Sequence, residues 1–360
     1  MNKPINLFEY EAIASQHLSQ MAFDYFASGA WDEITLRDNR AAFERYKLRP
    51  RMLRDVSQRD LRTTILGQTI AMPLLIAPMA FQCLADPEGE LATARAATKF
   101  GLGMILSTLS TQRLEVVAEQ RQHAPQWFQL YIHRDRGLSR ALVERAEAAG
   151  YQGLCLTVDA PILGRRERDR RNEFALPPDL ELANLATLTE LEISKQSRES
   201  GLFTYFADQI DPGLTWKDVE WLRSLTTLPI ILKGILRGDD ALKAVENGAS
   251  AIIVSNHGGR QLDGAIAGID ALSEVVAAVE NQAEVLVDGG IRRGTDILKA
   301  LALGAKAVLV GRPILWGLAA GGEAGVCHIL ELLRDELETA MSLSGCANIK
   351  EIEPSLVVRL

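Results

Sequence analysis

From about residue 74 the chain alternates between two patterns. Short apolar runs rich in β-branched residues are each followed by a longer stretch with apolar positions at helical spacing. Eight runs read as strands: LLIAPMA (74–80), GMILSTLS (103–110), WFQLYI (127–132), GLCLTVDAP (153–161), PIILKGI (229–235), AIIVSNHG (251–258), EVLVDGG (284–290) and AVLVGRP (307–313). Three joints, AEAAGYQGLCLTVD, AVENGASAIIVSN and ALALGAKAVLVGR, repeat one design. In each, a helix ends at a glycine suited to a left-handed cap, and a strand follows after two or three residues. Strands that are apolar throughout imply a parallel sheet covered on its outer face. Eight such units predict an α/β fold, a (β/α)8 TIM barrel. The alternative is an open doubly wound sheet, whose GxGxxG fingerprint after the first strand is absent.

Residues 1–70 read as a helical extension (EYEAIASQHLSQMAFDYFASG, LRDNRAAFERY) ending in a polar, extended segment. Between the fourth and fifth strands, 164–228 is too long for a plain connection, and its polar part, 176–205, reads as a mobile surface loop. The expectation is one domain over 1–360, with the barrel at 71–360.

Composition narrows the function classes. At 47% apolar and 24% charged the chain is of the ordinary soluble globular kind. A net charge of −8 argues against nucleic-acid or anionic-membrane partners, so any basic site is local and matched to a small anion. Four scattered cysteines without a CxxC fit a reducing compartment and no structural metal. The N-terminus lacks a secretory apolar region, no run approaches the ~18 apolar residues of a membrane span, and VVRL is a poor SKL-type address. A cytoplasmic protein is expected.

Aligning the strands puts polar residues at their C-terminal ends: Ser107, Gln129, Tyr131, Thr157, Asp159, Lys233, Ser255, His257, Asp288, Gly311 and Arg312. In a barrel these converge on one mouth, where such folds place their chemistry. VDGGIRRGTDILKAL (287–301) sets Asp288, Gly289, Gly290 and Arg292 ahead of an amphipathic helix, and VLVGRP (308–313) adds Gly311 and Arg312. Gly-rich loops after strands seven and eight form the common barrel phosphate site. Tight βα turns with solvated arginines are the plainer alternative.

With these residues in hand, the chain resembles the FMN-dependent α-hydroxy-acid oxidases, the family of glycolate oxidase, lactate oxidase and flavocytochrome lactate dehydrogenase. SNHGGRQLD (255–263), DGGIRRGTDILKALALGAKAVLVGRP (288–313), LTVDAPILGRRERD (156–169), QLY (129–131) and FDYFASGAWDE (23–33) carry the resemblance over essentially the whole chain. It implies FMN across the barrel mouth, contacting Ala77, Pro78, Met79 and Ala80 together with Ser107, Gln129, Thr157 and Ser255. Lys233 then lies at the N1/O2 edge, where a fixed cation stabilises an anionic reduced flavin. Asp288 holds the ribityl chain and Arg292, Gly311 and Arg312 the phosphate, with Gly289 and Gly290 also counted among the cofactor-binding residues.

On the substrate side the resemblance implies a carboxylate clamp of Arg166 and Arg260 with the Tyr25 hydroxyl, since planar guanidinium groups match carboxylates in two-point contacts. Tyr131 orients the substrate hydroxyl, and Arg165 is structural or solvent-facing. His257 is the base; His17, His123, His133 and His328 fall in helices or loops, with surface or capping roles. Asp159 contacts His257 and stabilises the imidazolium. The product is a 2-oxo acid, and dioxygen reoxidises the flavin to give hydrogen peroxide.

Nothing ahead of the N-terminal helices corresponds to a haem domain, and Glu181, Glu190, Glu192, Lys195, Arg198 and Glu199 make 176–205 unlike a membrane insert. A soluble oxidase is expected. Glycolate oxidases usually carry Thr at the position of Met79, Trp at that of Leu109 and a smaller aliphatic residue at that of Phe206. Leu for Trp opens room beside the α-carbon, which favours L-lactate over glycolate. Glycolate oxidation proper, a phosphate-binding barrel isomerase or lyase and a non-catalytic scaffold are the competing readings. A homotetramer is implied by the resemblance alone.

Overall fold

Eight parallel strands close into a barrel: β1 (Leu74–Ile76), β2 (Gly103–Leu106), β3 (Gln126–Leu130), β4 (Leu154–Thr157), β5 (Ile230–Ile235), β6 (Ala251–Val254), β7 (Glu284–Val287) and β8 (Ala307–Val310). Each pairs with the next, and β8 returns to β1 through Val308↔Leu74 and Val310↔Ile76. The computed structural model describes residues 3–186 and 209–360. The strands are shorter than the runs that predict them. LLIAPMA becomes strand only through Ile76, because Pro78 has no N–H to continue a ladder.

Side-chain alternation explains the division of labour inside the barrel. Leu75, Ile105, Trp127, Cys155, Ile231, Ile253, Leu286 and Leu309 point inward as one apolar cluster. Their neighbours Leu74, Ile76, Met104, Leu106, Phe128, Leu130, Leu154 and Leu156 belong to the core outside it, beneath the helices. Each such buried aliphatic side chain contributes about 1.5–3 kcal/mol through loss of apolar surface to water. Two residues on along each inward register come Ala77, Ser107, Gln129, Thr157, Lys233, Ser255, Asp288 and Gly311. The period of two that fills the lower barrel therefore delivers the polar set at its upper rim.

The lower end is closed by a hairpin, Thr63–Ile65 with Gln68–Ile70, whose Ile65 and Ile70 join the interior cluster. The sequence predicts only an extended polar segment here. The hairpin turns at Leu66 and Gly67, both with positive φ (45° and 77°), as a two-residue hairpin turn requires. Leu in that role is rare, so the usual Asn-Gly signal is missing.

The N-terminal helical stretch is two helices, Leu7–His17 and Gln20–Ala27, followed by Ile34–Ala41. Ser19 breaks the first pair and caps the second helix, accepting a bond from the Ala22 N–H at 3.2 Å. That cap sends Tyr25 to the barrel mouth. Part of the expected surface loop is instead built in: residues 182–185 are buried, and Asn184 bonds the Leu114 N–H (2.8 Å) and Ser110 Oγ (2.7 Å). Residues 187–205 of that loop and Phe206 lie outside the described residues. The helix Arg312–Ser344 has the length and apolarity to cross a membrane, but it bends at Gly321–Gly322 and buries Val326, Ile329, Leu330, Leu333 and Leu337 in the core.

Candidate active site

Three strand ends are tied together by one amide. Gln129 Oε1 accepts from Ser107 Oγ (3.3 Å) and from the Thr108 N–H (3.1 Å), and its Nε2 donates to Thr157 Oγ1 (3.0 Å). The bonds fix which way the amide faces across β2, β3 and β4. On the opposite wall, buried Lys233 donates to Ser255 Oγ at 2.9 Å and pairs with Asp288 Oδ2 at 3.1 Å. Burial pulls its ammonium down, but Asp288 and Asp159 outweigh this and hold it above the usual lysine value. Lys233 is a fixed cation. The other Asp288 oxygen, Oδ1, is buried with no partner among the described residues, an acceptor that suits a ligand hydroxyl.

The SNHGGR turn follows β6. His257, Gly258 and Gly259 adopt successive left-handed conformations with φ of 58°, 64° and 77°. For a histidine this is an uncommon, strained backbone, of the kind found where surroundings fix a functional residue. A side chain at Gly259 would lie 2.6 Å from the Leu36 backbone, so the turn packs flush against the N-terminal extension. His257 Nδ1 meets Asp159 Oδ1 at 2.9 Å, and the His257 N–H donates to Ser255 Oγ at 3.0 Å. Asp159 fits because residue 234 is glycine: a Cβ there would come within 2.5 Å of Asp159 Cβ. Burial lowers the His257 pKa, helped by Lys233 and Arg166 and opposed by Asp159, leaving a neutral imidazole. Burial raises Asp159, but His257 and Lys233 outweigh it and keep the carboxylate ionised.

Opposite the imidazole stand Tyr25, Tyr131, Arg166 and Arg260. The Arg260 guanidinium lies 4.9 Å over the Tyr25 ring, and its Nη1 donates to the carbonyls of Tyr25 (2.6 Å) and Ser28 (3.0 Å). Arg166 is 3% exposed, yet its contacts are long: 3.6 Å to Asp169 Oδ2 and 3.5 Å to the Arg260 carbonyl. Burial and Arg260 bring it down to about 10. Burial, then Asp159, raises Tyr131 and keeps its hydroxyl protonated. Arg312 donates to the carbonyls of Phe26 (2.9 Å), Gly258 (3.0 Å) and Ser28 (3.0 Å), while burial with Arg260 and Arg292 takes it down to about 9. Arg292 is also lowered by burial; among the described residues its Nη1 reaches only the adjacent Ile291 carbonyl, at 2.9 Å. Arg166, Arg292 and Arg312 thus gather positive charge at one poorly solvated place, which favours an anionic ligand there.

These residues surround one cleft. Tyr25, Ala77, Pro78, Met79, Ala80, Ser107, Leu109, Gln129, Tyr131, Thr157, Arg166, Lys233, His257, Arg260, Asp288, Gly289, Gly290, Arg292, Gly311 and Arg312 all line it. Ser255 does not: it sits behind the wall, fully buried, supporting Lys233 and His257. Asp159 stands likewise behind His257. Arg312, read as a ligand group, is also a strap joining the second helix to the His257 turn. The sequence reading overlooked Asp169, 1% exposed beside Arg166 and bonded by Ser28 at 3.4 Å; its spacing of three from Arg166 on a helical turn was the available signal. It also misplaced His133, which is fully buried with its imidazole pushed down to about 4 by burial. Arg165 is exposed, as expected.

Comparison with known proteins agrees with this geometry. The FMN-dependent dehydrogenase family description matches residues 14–359. An L-lactate oxidase of Nostoc sp. is 69% identical over 360 residues, covering 99% of each chain. Glycolate oxidase 1 of Zea mays is 54% identical over 98% of this chain and 95% of its own. A crystal structure of mandelate oxidase superposes with a TM-score of 0.90 at 47% identity, covering 97% of this chain and 96% of that one.

Proposed function

The chain belongs to the FMN-dependent dehydrogenase family, and on that premise we propose that it oxidises a small L-2-hydroxy acid, L-lactate to pyruvate above all, with dioxygen as final acceptor and hydrogen peroxide as by-product. FMN, when bound, supplies the two-electron acceptor. The site fits it: Asp288 Oδ1 offers a buried acceptor to a polyhydroxy chain, Arg292 and Arg312 offer unbalanced positive charge to a phosphate, and Lys233 is a buried cation on the same wall. Arg166 and Arg260 bind the substrate carboxylate and Tyr25 adds its hydroxyl. Tyr131, held protonated, orients the substrate hydroxyl. His257 takes a substrate proton, and Asp159 holds the ring and balances the imidazolium.

The observation that carries the reading is a neutral His257, oriented by a carboxylate, sharing one cleft with buried Arg166 and half-buried Arg260. Lactate over glycolate rests on the cleft wall of Met79 and Leu109, which leaves space beside the α-carbon, and on the 69% identical L-lactate oxidase. Glycolate oxidation is the second reading, favoured by the 54% identical maize enzyme. Cytoplasmic location, a homotetramer, and action of the extension and barrel as one unit belong to the same proposal. The Arg312 strap to Phe26 and Ser28 supports the last. The test is direct. The purified FMN-loaded protein should bleach when L-lactate is added without oxygen and release peroxide with it; a higher kcat/KM for glycolate would reverse the substrate assignment.

The imidazole also sets a pH dependence. His257 must be neutral to accept a proton, and its pKa lies below the ordinary 6.5. The kcat/KM for L-lactate should therefore rise with pH to a midpoint below 6.5 and stay level until Arg166 loses its proton toward about 10. Asp159→Asn removes the upward pull on the ring and should move the midpoint lower still. A midpoint above 6.5 would assign the titration to another group.

A further inference from the structure

One fully buried carboxylate takes no part in the reaction above. Glu90 lies in the first turn of the helix Gly89–Lys99 that follows β1 and is 0% exposed. Among the described residues no Lys or Arg forms an ion pair with it; hydrogen-bond donors surround it instead. Its Oε1 accepts from the backbone N–H groups of Gln82 (3.1 Å) and Thr111 (3.0 Å), and Thr111 Oγ1 donates to Oε2 at 2.8 Å. Thr111 Oγ1 in turn accepts from the Cys83 N–H at 3.1 Å, and the Phe81 N–H donates to the Leu109 carbonyl at 3.1 Å. A buried carboxylate is costly unless its lone pairs are filled, and here the donors come from two different loops. Burial still leaves its pKa raised.

Those two loops carry the cleft wall. Residues 77–85 follow β1 and hold Met79; residues 107–112 follow β2 and hold Leu109; both side chains face the cleft. The first loop also holds Phe81, at φ 58°, whose ring centroid lies 5.3 Å from that of Tyr25.

Resting on the functional reading above, we propose that Glu90 is a specificity-positioning residue. Through Gln82 and Thr111 it fixes the separation of the Met79 and Leu109 loops, and so the length of 2-hydroxy-acid side chain the cleft admits. The carboxylate touches neither substrate nor cofactor; it acts through the walls.

Three variants of the FMN-loaded protein test this: Glu90→Ala removes the staple, Thr111→Val deletes one hydroxyl at nearly constant volume, and Glu90→Gln keeps an acceptor for both backbone N–H groups. Two ratios are read. One is kcat/KM for L-lactate over L-2-hydroxyoctanoate; the other is the rise in Tm given by pyruvate against that given by 2-oxooctanoate, which reports binding alone. Glu90→Ala should shift preference toward the longer acid by at least about fivefold, within the range by which apolar pockets discriminate chain length. Thr111→Val should move it the same way by less, and Glu90→Gln should keep the parental ratio within about twofold. If Glu90→Ala does not fold, Thr111→Val decides. A role in stability alone lowers Tm and affects both acids equally; unchanged ratios in Glu90→Ala and Thr111→Val, or in Thr111→Val where it alone folds, overturn the inference. A parent that no 2-hydroxy acid reduces overturns the functional reading itself, and this inference with it.

Discussion

In His257→Gln, reduction of the bound flavin by L-lactate should slow by about 10²–10⁴-fold, the usual contribution of a positioned general base, while FMN stays bound. Among the described residues the imidazole makes one hydrogen bond that a mutation removes, to Asp159 at 2.9 Å; the backbone bond to Ser255 Oγ survives. Glutamine can replace that donor to Asp159 but cannot accept a proton. The cofactor-side groups Lys233, Asp288 and Arg292 are untouched, so the loss falls on chemistry. Asp159→Asn should lose less, because the ring keeps a neutral partner and forfeits only stabilisation of its charged form. Stopped-flow reduction without oxygen measures both. A His257→Gln protein reduced at the parental rate would remove the base assignment, whatever its overall turnover.

How much of this was legible in the sequence depends on which physical signal carried it. The barrel was, because parallel strands buried on both sides are continuous apolar runs and glycine caps repeat before them. The rim was too: once Leu75, Ile105, Trp127 and their counterparts face inward, a step of two reaches Ala77, Ser107 and Gln129 without further information. What periodicity cannot show is depth beyond the strand end. Ser255 has the inward register but lies behind Lys233 and His257, since the chain turns left-handed two residues later. Arg312 reads as a ligand group from its Gly-Arg context, while its bonds to Phe26, Gly258 and Ser28 depend on segments far away in sequence. Ile65 and Ile70 were hidden because Leu66 occupies a turn position that normally announces itself with Asn or Gly. Glu90 gave no sign of burial: a Glu in a first helical turn is ordinarily a solvated partner of the helix dipole.

The same contrast between committed and uncommitted arginines yields the second large effect. Arg260 is a poor probe of carboxylate binding, since its Nη1 holds the Tyr25 and Ser28 carbonyls and its loss would loosen the second helix. Arg166 is the clean one. Its guanidinium is buried, charged at neutral pH with a pKa of about 10, and has no contact shorter than 3.5 Å to Asp169 Oδ2 or the Arg260 carbonyl. A buried cation so loosely held gains most when a substrate carboxylate arrives, and removing it leaves that carboxylate with only Arg260 and the Tyr25 hydroxyl. Losing one partner of a buried charge pair costs about 2–5 kcal/mol, so kcat/KM for L-lactate in Arg166→Met should fall roughly 30- to 5,000-fold. Stability should change little, because methionine fills the volume and the neighbouring Asp169, already raised by burial, can take up a proton in place of its lost partner. The decisive comparison sets turnover beside binding. FMN content and Tm should stay near parental, while the rise in Tm given by pyruvate disappears. A variant that keeps both kcat/KM and the pyruvate shift would place the carboxylate on Arg260 and Tyr25 alone, and Arg166 would then be a structural cation held by Asp169.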